Sequence, residues 1–242
     1  KKEVLEKYNL ELKFSKDLNY NIFPRPHFTS REIFILDDQD EFSNVKKIKI
    51  FISLENIFPF KNIKINDLSL EEANFNFNNK NYNFFIQLLE NNYLERSLKI
   101  KNSNVFYRNA NKEVLFINKI LNMKYYYDAN ELKNIVISEN NVFNIPYLLE
   151  TYLNTNNNKI FFWININFLK LQIENELSLK TKSKIGKSNF VINKSKSIAT
   201  YEINKNSFEY SFFDKLDNPK FFYKGKFNFK PFYSIIDGVT EE

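Results

Sequence analysis

Three glycines, four alanines, four arginines, one histidine and no cysteine stand among 242 residues. Each shortage closes a class of function. Loops that cradle phosphate or dinucleotides place several glycines in one turn, because backbone must approach the ligand closely. Here Gly186, Gly225 and Gly238 are far apart. Without cysteine there are no disulfides, no thiolate zinc site and no thiol nucleophile. A single histidine excludes every metal site built on two imidazoles. No metal and no cofactor is expected. Long apolar runs are missing too. The longest, Ile160 to Ile164, falls far short of the ~20 residues that cross a bilayer as a helix.

What is present is 43% hydrophobic and 17% aromatic residues, enough for a core and too much for wholesale disorder. Asn (39) and Lys (31) dominate the polar residues. Both have AT-rich codons, so part of this bias reflects genome composition. The net charge is +6, with scattered lysines nearly balanced by 29 acids. Recognition of nucleic acid leans on arginine forks, so no nucleic-acid partner is expected. The chain opens on Lys1 and reaches a strand pattern within a few residues, as a piece of a longer protein would.

Period-two alternation is the strongest structural signal. Ile48, Ile50, Ile52 and Leu54 alternate with Lys49, Phe51 and Ser53. Ile160, Phe162, Ile164, Ile166 and Phe168 hold one phase, and Leu169, Leu171 and Ile173 hold the other. Such a phase change predicts a bulge or a strand that switches faces. From Phe190 onward, apolar segments recur at the 8–12-residue spacing of an antiparallel meander, with Asn204–Asn206 and Asp217–Pro219 as turns. An amphipathic helix is predicted over Tyr82–Leu94, with shorter helical turns at Glu55–Phe58 and Ala129–Ile135. The fold class is therefore mainly β: an elongated, curved antiparallel sheet, groove-like or a partly open barrel, with one or two short amphipathic helices. Residues 1–242 read as one β-rich domain or fragment, with a subdivision near 93–97.

Candidate chemistry is sparse. His27, in Phe23-Pro24-Arg25-Pro26-His27-Phe28, lacks an identifiable nucleophile and reads as a packed or solvent-facing side chain. Asp37-Asp38-Gln39-Asp40-Glu41 lacks the glycine and spacing of a calcium loop and reads as a solvated turn. Glu174 and Glu176 share a strand face, as glycosidase carboxylates do, with Trp163 the one indole. No Gly-x-Ser-x-Gly turn exists. Catalysis is not expected. Lys180, Lys182, Lys184, Lys187, Lys194 and Lys196 fit a charged hairpin. They also fit contact with anionic headgroups, at about 1 kcal/mol per basic side chain.

The order of segments from Leu18 to Phe85 resembles the N-terminal region of the AsmA-like family, relatives of TamB in the Gram-negative envelope. A Phe23-Pro24-x-Pro26 step leads to the strand Ile33–Leu36 and an acidic loop. The alternating block Val45–Leu54, the turn Glu55–Phe58 and the paired block Ile63–Phe77 follow. Leu98–Tyr107 is similar to the family's next strand pair. The family's N-terminal membrane helix is absent, and asparagine stands where its turns commonly carry glycine. The resemblance implies a periplasmic protein, anchored to the inner membrane in its full-length form, that handles or transports phospholipid for outer-membrane biogenesis. It implies no catalytic residue. A β-rich adhesin or carbohydrate-binding module is the alternative. Ile48, Ile50, Ile52, Ile164, Ile166 and Phe168 are the candidate lipid-binding residues, because these runs hold one phase longest. Their partners would be phospholipid acyl chains. The same alternation serves a closed core or an open groove.

Overall fold

The computed structural model describes residues 4–5, 11–37, 40–53, 64–78, 89, 97–109, 111–154, 156–179, 184–204, 206–214, 220–229 and 232–241. They form a mainly β, antiparallel protein that divides into two compact units, Lys1–Pro146 and Tyr147–Glu242. Residues 93–96, where the sequence suggested a subdivision, lie outside the described residues. Among the described residues no helix is long and apolar enough to cross a membrane.

Unit 1 carries β1 (Glu11–Phe14), β2 (Asn19–Asn21), β3 (His27–Asp37), β4 (Asp40–Ile52), β5 (Ile65–Phe77), β6 (Ser97–Arg108), β7 (Val114–Asp128) and β8 (Lys133–Val142). Pairing runs β1-β3-β4-β5-β6-β7-β8, with β2 beside β3. Every pair is antiparallel except β5 with β6. A parallel neighbour demands a crossover rather than a hairpin, and residues 78–96 supply it. The predicted helix 82–94 falls on this crossover and, apart from Leu89, lies outside the described residues. Leu89 itself is helical and buried, and its carbonyl accepts a hydrogen bond from Asn134 Nδ2 at 3.2 Å. The turn predicted at Glu55–Phe58 is also outside them.

The core of unit 1 lies on one face of this sheet. Ser30, Ile48, Leu70, Ile100, Met123 and Ser138 pair successively across six strands, and all are buried. The next row passes through Ile50, Leu68, Leu98, Tyr125 and Val136 and is equally dry. Burying each large apolar side chain of this kind stabilises by about 1.5–3 kcal/mol.

Alternation breaks at one level in five neighbouring strands. Glu32, Lys46, Glu72, Asn102 and Leu121 are skipped in the pairing registers of β3 to β7. Three of them take left-handed backbone, Glu32 at φ 56°, Glu72 at 54° and Asn102 at 47°. Buried positions are consequently three apart there instead of two: Ser30 and Ile33, Val45 and Ile48, Leu70 and Ala73, Ile100 and Ser103, Ile120 and Met123. One extra residue per strand bends the strand while keeping both halves facing the same core. Ion pairs Lys16–Glu32 (2.8 Å), Lys46–Glu72 (2.6 Å) and Lys49–Glu71 (2.5 Å) line the polar side of this bend. On its dry side the Ser103 hydroxyl accepts from the Ala73 N–H (2.9 Å) and donates to the Lys101 carbonyl (2.8 Å).

Unit 2 carries β9 (Ile145–Asn154) from Tyr147 onward, β10 (Lys159–Ile166), β11 (Leu171–Ser178), β12 (Lys184–Ile192), β13 (Ser195–Ile203), β14 (Ser207–Asp214), β15 (Lys220–Phe229) and β16 (Phe232–Glu241). Each strand pairs antiparallel with the next, as the meander reading of the C-terminal third anticipated. Asn193 (φ 47°) and Lys194 (φ 78°) form the two-residue turn between β12 and β13, where primed turns match strand twist.

Two expectations need correction. Ala129–Ile135 is not a helical turn: Asp128 Oδ1 accepts from the N–H groups of Asn130 (2.8 Å) and Glu131 (3.2 Å), and Ile135 is already in β8. An Asx turn outcompetes the helix there. The phase change after Ile166 is neither a bulge nor a strand switching faces. A 3-10 turn, Asn167–Leu169, closed by left-handed Lys170 (φ 48°), reverses the chain and lays Ile164 beside Ile173.

Candidate functional site

Nearly all fully buried apolar side chains belong to unit 1; among the described residues of unit 2 only Leu153 and Ile160 join them. The reason is architectural. A sheet with one apolar face must cover it with a second layer, and the described elements of unit 2 are strands of one meander plus a single 3-10 turn. Leu149, Phe162, Ile164, Ile166, Ile173, Phe190 and Phe212 are all on one face, and all are half-buried. Toward β15 this face deepens into an open depression of about 520 Å³, lined by Phe190, Phe208, Phe212, Phe227, Tyr201 and Tyr210 among others.

The aromatic rings of this face form two connected sets. Phe208 lies 5.6 Å from Tyr201, 5.9 Å from Tyr210 and 6.2 Å from Phe227, and Tyr210 stacks on Phe227 at 5.8 Å and 19°. Phe212 bridges Phe190 (6.2 Å) and Tyr223 (6.4 Å). Glycine makes this paving flat. Each of the three glycines faces a tyrosine on the neighbouring strand: Gly186 Tyr201, Gly225 Tyr210, and Gly238 Tyr223. A Cβ added to Gly186 or Gly225 would overlap the opposing ring, and one on Gly238 would meet Tyr223 at 2.9 Å. None of the three has positive φ. They serve close ring approach rather than turns.

A polar node anchors the depression. Asn175 Oδ1 accepts hydrogen bonds from the Tyr201 hydroxyl (2.7 Å) and the Ser188 hydroxyl (2.6 Å). Burial pushes the Tyr201 phenol above its ordinary value, with the Asn175 contact acting the other way. The phenol therefore stays protonated and adds no charge to the depression. Such a surface can hold apolar matter.

The residues singled out in the sequence separate into three places. Ile48, Ile50 and Ile52 come together on β4, 0%, 6% and 9% exposed, packed inside unit 1. Ile164 and Ile166 sit together on the half-open face of unit 2. Phe168 leaves that face: it occupies the 3-10 turn and is 79% exposed, because the chain reverses one residue before it. Phe190, Phe208, Phe212 and Phe227, which line the depression, were legible as strand residues but not as a site. Their alternation is no different in kind from that of a covered strand.

The remaining motifs resolve locally. His27 is buried, its Nδ1–H donating to the Arg25 carbonyl at 2.7 Å with its ring 5.2 Å from Phe51. Asp37 pairs with Asp40 to close the β3–β4 hairpin; residues 38 and 39 lie outside the described residues. Lys180 and Lys182 do so too. Lys184 and Lys194 stand at opposite ends of the β12–β13 hairpin, roughly 26 Å of strand apart, so these lysines do not form one patch. Among the described residues no group of three or more His, Asp or Glu is placed to hold a metal ion. No family model and no curated protein matches the chain.

Proposed function

We propose that this chain is a non-enzymatic, AsmA-like module that handles phospholipid, holding acyl chains against the apolar face of unit 2. The observation that carries the reading is the continuous half-exposed face from Ile164 and Ile166 to Phe190 and Phe227. Burial of each acyl methylene against such a surface contributes about 0.8 kcal/mol, so length of contact substitutes for specific chemistry. Ile48, Ile50 and Ile52 then act from within the folded core, and Ile164 and Ile166 touch lipid. In the full-length protein the module works in the periplasm, tied to the inner membrane by an anchor outside this chain and serving outer-membrane biogenesis.

The test is recovery of lipid from the purified chain by extraction and mass spectrometry, combined with photo-crosslinking. A benzophenone side chain at Phe190 should capture phospholipid. The same probe at Phe213, which faces the other side of β14 and is 45% exposed, should not. Equal capture at both positions, or no phospholipid in the extract, would refute the reading.

A further inference from the structure

The opposite face of β9 to β12 carries a second cluster. Glu150, Trp163, Glu174 and Asn189 form one cross-strand row; Tyr152, Phe161, Glu176 and Lys187 form the next. They line a cleft of about 390 Å³. The second row carries one acid and one base, Glu176 and Lys187, and both line the cleft. Tyr152 and Phe161 stack at 4.9 Å and 16°, and Glu176 is paired with Lys159. Among the described residues no cation pairs with Glu150 or Glu174 of the first row, and none lies over the Trp163 ring. Elsewhere in the chain Arg25 covers Phe51, Arg108 covers Phe106, Lys124 covers Tyr126 and Lys224 covers Phe222. In a protein of net charge +6, Trp163, the ring type that attracts cations best, sits uncovered between two carboxylates.

We propose that this cleft binds an organic ammonium group, seated on the Trp163 indole between Glu150 and Glu174. The two carboxylates flank Trp163 on either side, about 9.6 Å apart at the backbone by inter-strand spacing. That leaves a cation about 5 Å from each. The indole supplies the quadrupole and the apolar surface that an alkylated ammonium needs, and the carboxylates supply the charge. Neutral polar molecules gain nothing from that charge. Lipid headgroups, amino sugars and free amines all carry the group. The inference is independent of what the apolar face holds.

Trp163 is the only tryptophan, so its emission reports on this cleft alone. The chain should be titrated with choline at constant ionic strength, and in parallel with 3,3-dimethylbutan-1-ol, its uncharged carbon analogue. Choline should change the emission saturably; the alcohol should not. Two carboxylates about 5 Å from the cation in near-aqueous surroundings are together worth roughly tenfold in affinity. The double variant Glu150→Gln/Glu174→Gln should lose that factor with its circular dichroism unchanged. Glu202→Gln, three strands away from Trp163, should bind as the parent does. Displacement of choline by phosphatidylcholine vesicles would assign the group to a lipid headgroup, and displacement by glucosamine to an amino sugar. No saturable response to choline, an equal response to the alcohol, or undiminished binding by the double variant would overturn the proposal.

Discussion

The Tyr201 ring on β13 lies flat across Gly186 on β12, and its hydroxyl reaches over that strand to Asn175 on β11. One side chain thereby ties three strands, and the missing Cβ is the condition for it. Gly186→Ala should destabilise unit 2 by about 1–3 kcal/mol, since the ring must lift and the Asn175 bond is lost. Adding Tyr201→Ala should cost less than the sum of the two single changes, because the steric conflict disappears with the ring. Urea denaturation of the four proteins measures the coupling.

Ile48 and Ile166 both belong to clean alternating runs, yet one is 0% exposed and the other half-buried. A carboxylate at position 48 would have no water and no partner among Leu70, Ile100 and Ser30. Ile48→Asp should therefore abolish cooperative folding of unit 1, at a cost beyond about 4 kcal/mol. Ile166→Asp should leave the far-ultraviolet dichroism intact and lower photo-crosslinking to lipid. An unfolded Ile166→Asp variant would show that this position is covered in solution.

Two carboxyl groups in unit 1 set its acid sensitivity. Burial raises Asp67, but the Ser97 hydroxyl (2.6 Å), Arg25 (2.8 Å) and Lys99 more than offset it and hold the group below its ordinary 3.8. Burial likewise raises Glu71, and Lys49 and Lys47 hold it below 4.5. A depressed carboxyl stabilises the fold fully above its unfolded value, and that contribution disappears as pH falls through the folded one. Unit 1 should lose stability from about pH 4.5 downward. Asp67→Asn and Glu71→Gln should each flatten that slope, measured as thermal midpoint against pH.

The bend across β3 to β7 can be probed at Asn102, whose φ of 47° suits glycine or asparagine and opposes a β-branched residue. Asn102→Gly should be neutral or stabilising by up to about 1 kcal/mol, and Asn102→Val destabilising by about 1–2 kcal/mol. The residue is exposed, so packing contributes little to either change. A neutral Asn102→Val would mean that the bend tolerates register change. Chemical denaturation decides it.

Alternation of apolar and polar residues was enough to identify β4 and the C-terminal meander, and to say which side chains share a face, because successive strand residues point to opposite sides. Turns were harder to read. With so few glycines, left-handed positions fall to asparagines such as Asn102 and Asn193 but also to Glu32, Glu72, Lys170 and Lys194, residue types that carry no turn signal; the reversal at Asn167–Lys170 therefore shows in the sequence only as a phase change. The parallel pairing of β5 with β6 depends on where a crossover lands, which local pattern does not encode. Tertiary structure alone decided that Ile48 is enclosed and Ile166 is not. Alternation fixes the direction of a side chain, whereas its covering comes from residues distant in sequence: unit 1 encloses its apolar face, and the described strands of unit 2 leave theirs half-open.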